Sequence, residues 1–217
     1  MPAIEPITFF HAPQTRSAGT LTLLEELRAP YQLQVLNMKA GEQRQSAYLA
    51  INPLGKVPAI QHRGALVTEQ VAIFIYLADL FPEAGLAPGI ADPQRGSYLR
   101  WLVYYAASFE PALVDRSMQR EPAAQAMLPY GTFDGMLGTL TDRLAASPYL
   151  LGDTISAADI LWGVALQWTV MFGLVPETTV IKDYVQRVTD RPSFAKVNAM
   201  DAQLAAEHEA AVKSAQA

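Results

Sequence analysis

The hydrophobic pattern of the first part of the chain changes its period several times, from two residues in strands to about 3.6 residues in helices. Runs of β-branched and aromatic residues, or alternation with polar ones, predict strands at 7–10, 31–35, 57–60 and 65–67. Apolar residues at helical spacing predict helices at 16–27, 47–51 and 73–81. The predicted order is β-α-β-α-β-β-α, with a tight turn at Arg63-Gly64 and with Glu25 and Glu26 on the outer face of the first helix.

The rest of the chain shows a helical period only. A segment rich in proline and glycine, 83–93, has the composition of a linker. Helices are predicted beyond it at 94–117, 132–146, 156–172, 180–190 and 193–208. The alanine-rich tail after Ala205 is expected to be a frayed end. The fold class is therefore α/β plus all-α, with predicted domains at 1–82 and 94–217.

Composition narrows the classes of function. The net charge of −5 argues against a nucleic-acid partner, because phosphates select basic surfaces. The sequence has no cysteine, which excludes disulfide bonds, Cys-ligated metals and a nucleophilic protein thiol. No spacing of His, Asp and Glu suggests a metal site. The N-terminus is a poor signal peptide, because it carries Glu5 and prolines but no basic segment, so a cytoplasmic protein is expected.

The uncharged segment 160–176 permits two interpretations, a membrane span or a buried core helix. Its length lies at the lower limit for crossing a bilayer, and it contains Gln167, so we predict a core helix and no membrane partner. Ser156 and Asp159 precede it with the spacing of a capping box, which is a structural role.

Two local features permit either a structural or a binding role. Pro58 cannot donate to a strand ladder, so Val57-Pro58 is either an ordinary edge position or a cis bond that leaves the Val57 N–H and C=O free for a peptide ligand. Thr68 is either the simple cap of the next helix, or the Gln70 N–H there binds a carboxylate while Glu69 binds an ammonium. These residues alone leave both choices open.

Taken together with the element order, three motifs resemble the cytosolic glutathione transferase superfamily. The segment 52–60, Asn-Pro-Leu-Gly-Lys-Val-Pro-Ala-Ile, is similar to that family's approach to its cis-proline. The segment 68–77 is similar to its acidic-residue helix, and 151–160 is similar to its capped central helix. The resemblance spans about residues 7–194 and implies a thioredoxin-like N-terminal domain, a helical-bundle C-terminal domain, a homodimer, and glutathione as co-substrate without a metal.

The resemblance also implies where glutathione would bind. Its cysteinyl backbone would pair with Val57 beside Pro58, and its γ-glutamyl end would lie against Glu69 and Gln70. Its glycyl carboxylate would face the loop after the second strand. The candidate donors there are Lys39, Gln43 and Lys56.

In this family one hydroxyl near the first helix stabilises the glutathione thiolate, and here the sequence departs from better-known patterns. Phe10 occupies the place of the tyrosine of some classes, and Gln70 stands where a serine is usual. Thr15 is the first candidate for the hydroxyl and Ser17 the second, although either could simply cap the helix. Arg16 either stabilises the thiolate or is a surface cation.

The second substrate is expected to be an apolar electrophile. Its predicted pocket is lined by His11, taken as a loop residue without an acidic partner, and by Tyr104, Tyr105 and Trp168. Three functions fit the resemblance: conjugation of glutathione, glutathione-dependent reduction of disulfides or peroxides, and a non-catalytic interaction module. Retention of Val57-Pro58, Glu69 and Thr15 disfavours the third.

Overall fold

A computed structural model describes residues 5–121 and 123–216, with the side chains of 215 and 216 left aside, and these residues form two compact units. The sheet unit comprises Met1–Ala84 and Arg191–Ala217. The helical unit comprises Gly85–Asp190.

The sheet unit follows the predicted β-α-β-α-β-β-α order. Its elements are β1 (Ile7–His11), α1 (Ser17–Glu26), β2 (Tyr31–Val35), α2 (Ser46–Leu49), β3 (Ala59–His62), β4 (Ala65–Val67) and α3 (Gln70–Leu80), with short 3-10 turns at Glu42–Arg44 and Pro82–Ala84. The strand order is β2-β1-β3-β4, in which β1 is parallel to β2 and antiparallel to β3. This mixed sheet with its helices confirms the thioredoxin-like prediction.

Local sequence explains how the sheet is connected. Arg63 and Gly64, at the tip of the β3-β4 hairpin, have φ of 51° and 77°. Two successive left-handed residues give the two-residue turn that matches the twist of a hairpin. Across the sheet, Phe9 on β1 pairs with Ile60 on β3, and both are fully buried.

The last helix, α9 (Pro192–Gln216), belongs to the sheet unit and packs against α1. The predicted domain 94–217 therefore differs from the compact units, since the chain returns to the sheet unit at Arg191. The expected frayed tail after Ala205 was wrong, because α9 continues to Gln216. Alanine's high helix propensity explains the continuation.

The outward placement of Glu25 and Glu26 was also wrong. Glu26 receives two hydrogen bonds from the Arg191 guanidinium, at 2.8 Å and 2.5 Å, and one from the Ser193 hydroxyl. Glu25 pairs with Lys196 at 2.7 Å and accepts from the Tyr31 hydroxyl. This face of α1 therefore holds α9 in place.

We expect Glu26→Gln to lower the free energy of unfolding by about 2–3 kcal/mol at neutral pH, the scale of losing hydrogen bonds to a charged group. Burial raises the pKa of Glu26, but the hydrogen bonds from Arg191 and Ser193 and the Arg191 charge outweigh it, so the pKa lies below its ordinary value of 4.5. A depressed folded-state pKa gives stability that is present above that ordinary value and is lost as the pH falls through the folded value.

Urea unfolding of both proteins at neutral pH and at roughly pH 3 measures this difference. The difference in the free energy of unfolding between wild type and Glu26→Gln should be smaller at the acidic pH. The matched control is Glu83→Gln, at an exposed position of the same unit. Equal losses for the two variants at neutral pH would contradict the assignment.

The helical unit contains four of the five helices predicted beyond the linker, with one change, and the fifth is α9 of the sheet unit. Its elements are α4 (Arg95–Tyr104), a π-helical turn (Tyr105–Phe109), α5 (Glu110–Ser117), a 3-10 turn (Gln125–Met127), α6 (Phe133–Ala146), α7 (Ala157–Met171) and α8 (Thr179–Thr189). The predicted single helix 94–117 is thus interrupted by the π turn. Pro111 explains it, since a proline lacks the N–H and clashes with the carbonyl four residues earlier.

The apolar segment is a core helix, as predicted. Ile160, Leu161 and Trp162 of α7 are buried, and a capping box at Ser156 and Asp159 starts the helix. The Asp159 carboxylate accepts from the Ser156 and Leu150 N–H groups, each at 2.8 Å. Among residues 5–121 and 123–216, no helix is both long and apolar enough to cross a membrane.

Candidate functional site

The loop between β1 and α1 contains one residue with a hydroxyl, Thr15. Thr15 is half-buried, and its Oγ1 donates to the Ala12 carbonyl at 2.8 Å and accepts from the Ser17 N–H at 3.2 Å. The N-cap of α1 is Arg16, whose side chain makes no cap hydrogen bond. Thr15 thus steadies the helix start while its side chain stays partly open to solvent.

Ser17, the alternative candidate, is fully buried. Its Oγ lies 2.7 Å from Thr15 Oγ1 and 2.8 Å from His11 Nδ1, and it accepts from the Ala12 N–H at 3.2 Å. A hydroxyl enclosed by these partners cannot contact a ligand without first leaving them. Thr15 is the more exposed of the two residues, although its hydroxyl also has a partner in the loop, the Ala12 carbonyl.

The prediction that His11 is a loop residue lining the electrophile pocket was wrong. It is the last residue of β1, it is 0% exposed, and so it does not line a pocket. Its expected lack of an acidic partner was also wrong, since Nε2 lies 3.0 Å from Oδ1 of Asp201 on α9. The other carboxylate oxygen of Asp201 accepts from the Gln14 N–H at 2.8 Å. Sequence reasoning missed Asp201, because nothing local marks an acid 190 positions from its partner.

Val57-Pro58 lies just before β3, and its peptide bond is cis. Within residues 5–121 and 123–216 the N–H and C=O of Val57 make no hydrogen bond. The Val57 side chain packs against the cluster of Phe10, Tyr48 and Ala59. Phe10 is therefore a core residue, and Val57 offers a free backbone donor and acceptor.

The start of α3 has an unusual backbone. Glu69, not Thr68, is the N-cap, with φ 66° and ψ 115°. A non-glycine residue with such a φ costs on the order of 1–3 kcal/mol and persists where the surroundings enforce it, often at a ligand site. The Glu69 side chain is exposed and does not cap the helix. The side-chain amide of Gln70 donates through Nε2 to the Arg16 carbonyl at 2.8 Å, which connects this turn to the loop that carries Thr15.

The three candidate donors for the glycyl carboxylate differ in their surroundings. Gln43 is half-buried, and its Oε1 has no hydrogen-bond partner among the described residues. Lys56 is exposed, and Gly55 brings its loop against Gln43, since a Cβ on Gly55 would lie 2.6 Å from the Gln43 carbonyl oxygen. Lys39 is exposed and lies 3.7 Å from Glu209 of α9. Gln43 and Lys56 therefore lie on adjacent loops.

The remaining pocket candidates belong to the helical unit. Tyr105 is buried, and its ring packs 5.5 Å from the ring of Trp162, so it is a core residue rather than a pocket residue. Tyr104 is half-buried and donates to the Met136 carbonyl at 3.0 Å. Trp168 is half-buried beside the exposed Phe172, with ring centres 6.3 Å apart.

The described residues contain no group of His, Asp and Glu side chains that could hold a metal ion. The candidate groups of the sheet unit are hydroxyls, a carboxylate and backbone groups. Such a set can bind a peptide-like zwitterion and donate a hydrogen bond to an anionic sulfur.

Comparison with known families agrees with this geometry. Residues 5–79 match the family model for the glutathione S-transferase N-terminal domain. Residues 123–187 match the model for the glutathione S-transferase C-terminal domain. The two matches lie in chain order and together cover most of the chain.

Individual relatives extend over most of their own length. Glutathione S-transferase F13 of Arabidopsis thaliana is 27% identical over 195 residues, covering 83% of this chain and 89% of the relative. Glutathione S-transferase GstA of Escherichia coli O157:H7 is 27% identical over 191 residues, covering 84% of this chain and 92% of the relative.

Solved structures show the same architecture. A glutathione transferase of Methylococcus capsulatus is 26% identical with a TM-score of 0.78, covering 91% of this chain and 99% of that one. A sphingomonad glutathione S-transferase, solved in complex with glutathione, is 26% identical with a TM-score of 0.75, covering 90% and 98%.

Proposed function

The chain belongs to the cytosolic glutathione transferase superfamily, and from this we propose that it joins the glutathione thiolate to apolar electrophiles. It is a glutathione transferase with glutathione as its co-substrate. The observation that carries the proposal is the half-buried Thr15, in a loop that the Gln70 side chain ties to the start of α3. Detoxification in the cytoplasm is the corresponding cellular role.

In the proposed complex glutathione is extended along the start of β3. The free N–H and C=O of Val57 pair with its cysteinyl residue. Its ammonium meets Glu69, and its γ-glutamyl carboxylate meets the Gln70 N–H, because the first N–H groups of a helix have no internal partner. The glycyl carboxylate lies near Gln43 and Lys56.

Thr15 activates the sulfur in this arrangement. A free thiol has a pKa of about 8.5, and the thiolate is the nucleophile. A hydroxyl that donates to the sulfur bonds more strongly to the anion than to the neutral thiol, so it lowers that pKa. Arg16, beside it in sequence, adds positive charge to the same loop.

The apolar class of electrophile is suggested by the helical unit. Trp168 and Phe172 form an aromatic pair there, next to the exposed Met171. Tyr104 adds a half-buried aromatic side chain on α4. Surfaces of this kind favour flat, apolar compounds over charged ones.

Reduction of disulfides or peroxides is the second candidate, and the absence of cysteine is the specific observation that bears on it. A chain without a thiol needs a second glutathione to resolve the mixed disulfide. A panel assay with an aryl halide, an organic peroxide and a small disulfide, each with glutathione, separates the two. Turnover of the aryl halide supports conjugation, and turnover of the peroxide or disulfide alone would favour reduction.

We expect the protein to be a homodimer, in keeping with the family resemblance. Exposed apolar side chains such as Leu66 on β4 and Val103 on α4 are suited to a protein contact. Sedimentation at micromolar concentration should give about twice the chain mass of 23.7 kDa. A single species at the monomer mass would contradict this expectation.

A further inference from the structure

A buried chain of polar groups leads from Thr15 into the sheet unit. Thr15 Oγ1 lies 2.7 Å from Ser17 Oγ, and Ser17 Oγ lies 2.8 Å from His11 Nδ1. On the far side of the imidazole, Nε2 lies 3.0 Å from Asp201 Oδ1. These contacts thus run from the hydroxyl of the half-buried Thr15 through a second hydroxyl and a histidine to a carboxylate on α9.

The inner members of this chain of groups are shielded from solvent. His11 and Ser17 are both 0% exposed, and the Asp201 side chain is 13% exposed. The His11 Nε2 and Asp201 Oδ1 atoms are at ion-pair distance but are not aligned as a hydrogen bond. A carboxylate oxygen at this distance attracts a protonated imidazole more strongly than a neutral one.

The elements packed around the imidazole set its charge environment. Asp201 of α9 is a charged side chain beside Nε2, Ser17 of α1 faces the other nitrogen, and the ring of Phe9 lies 5.7 Å away on the same strand. Low polarity around a charge pair strengthens its interaction.

We propose that His11 and Asp201 are positioning residues that act through Ser17 and Thr15 as a proton relay for the glutathione thiol. The inference rests on the proposed function. Before ionisation His11 is neutral with its proton on Nε2, facing Asp201. Its Nδ1 then accepts from the Ser17 hydroxyl. For the relay the Thr15 hydroxyl turns from the Ala12 carbonyl oxygen, 2.8 Å away, to the Ser17 oxygen, 2.7 Å away.

Ionisation moves one proton along this chain. The thiol gives its proton to Thr15 Oγ1, Thr15 gives its own to Ser17 Oγ, and Ser17 gives its own to His11 Nδ1. The ring becomes an imidazolium facing the Asp201 carboxylate, and the sulfur becomes a thiolate. Each hydroxyl has reversed its direction, so Thr15 now donates to the thiolate. The proton returns to solvent after the thiolate has been consumed.

The test is Asp201→Asn, measured by the ultraviolet absorbance of the thiolate as saturating glutathione is titrated with pH. Asparagine keeps an oxygen that can accept from the Gln14 N–H but has no charge to favour the imidazolium. We expect the pKa of the bound thiol to rise by about one unit, which lowers the thiolate fraction at neutral pH by up to about tenfold. Affinity for glutathione should change much less than kcat.

The matched control is Glu207→Gln, which removes a carboxylate from an exposed position of α9. It should leave the thiol pKa at the wild-type value. His11→Gln is a second variant, which cannot take up the proton and carries the test if Asp201→Asn fails to fold. It should raise the thiol pKa as Asp201→Asn does.

The outcomes separate the two proposals. An unchanged thiol pKa in Asp201→Asn and His11→Gln, with a raised one in Thr15→Ala, would overturn the relay and leave the proposed function standing. A wild-type protein that does not ionise bound glutathione would overturn both.

Discussion

Thr15→Ala is expected to slow glutathione conjugation by roughly tenfold to a thousandfold, the scale of losing one hydrogen bond to a charged group. The Thr15 hydroxyl donates to a sulfur that is neutral in the free thiol and anionic in the reactive state. An interaction that strengthens toward the transition state raises kcat more than it lowers KM. Steady-state kinetics over a pH series measures both effects, and the pH–rate midpoint should move upward.

Two further variants calibrate that result. Thr15→Ser keeps the hydroxyl and should retain most of the activity. Ser17→Ala removes a buried hydroxyl that does not reach the ligand, so its effect should be no larger than that of Thr15→Ala. A large loss in Ser17→Ala with normal rates in Thr15→Ala would show that the wrong hydroxyl has been assigned.

Glu69→Ala is expected to weaken glutathione binding on the order of thirtyfold to a thousandfold. The bound ammonium would lose its carboxylate partner, and removing one member of a hydrogen-bonded charge pair at an interface costs about 2–4 kcal/mol. The positive φ of Glu69 supports a role in binding. The Glu69 carboxylate is exposed and does not cap the helix, so it is free to meet a ligand. Isothermal calorimetry with glutathione measures the change.

The control for this variant is Glu83→Ala, at an exposed acid beyond α3 in the same unit. It should bind glutathione as the wild type does. Glu26, a natural choice from the sequence, is unsuitable because it is paired with Arg191, and its loss is expected to lower stability. Equal affinities for Glu69→Ala and Glu83→Ala would contradict the assignment of the γ-glutamyl site.

The order of the elements could be predicted because local signals agree with the fold. The β-branched and aromatic residues of β1 form a strand, as their type predicts. Arg63 and Gly64 form the predicted tight turn, and the helix with the predicted capping box, α7, is buried. Where local preference and tertiary structure point the same way, periodicity is a reliable guide.

The surroundings of the site could not be predicted in the same way. Asp201 meets His11 only because α9 returns to α1, and the pairs formed by Glu25 and Glu26 depend on the same packing. The hydrophobic period of a helix does not predict which side chains pair when they are so distant in sequence. Tyr105 was predicted to line the pocket but lies in the core. An aromatic residue at helical spacing is compatible with either place, so the sequence does not distinguish them.

The most direct test of the central claim is a titration of the thiolate absorbance of glutathione bound to the wild-type protein. If Thr15 stabilises the thiolate in the sheet unit, the bound thiol should titrate clearly below the value of about 8.5 expected for a free thiol, and Thr15→Ala should move it back toward that value. A bound thiol that titrates as it does in free solution, in wild type and variant alike, would contradict the account.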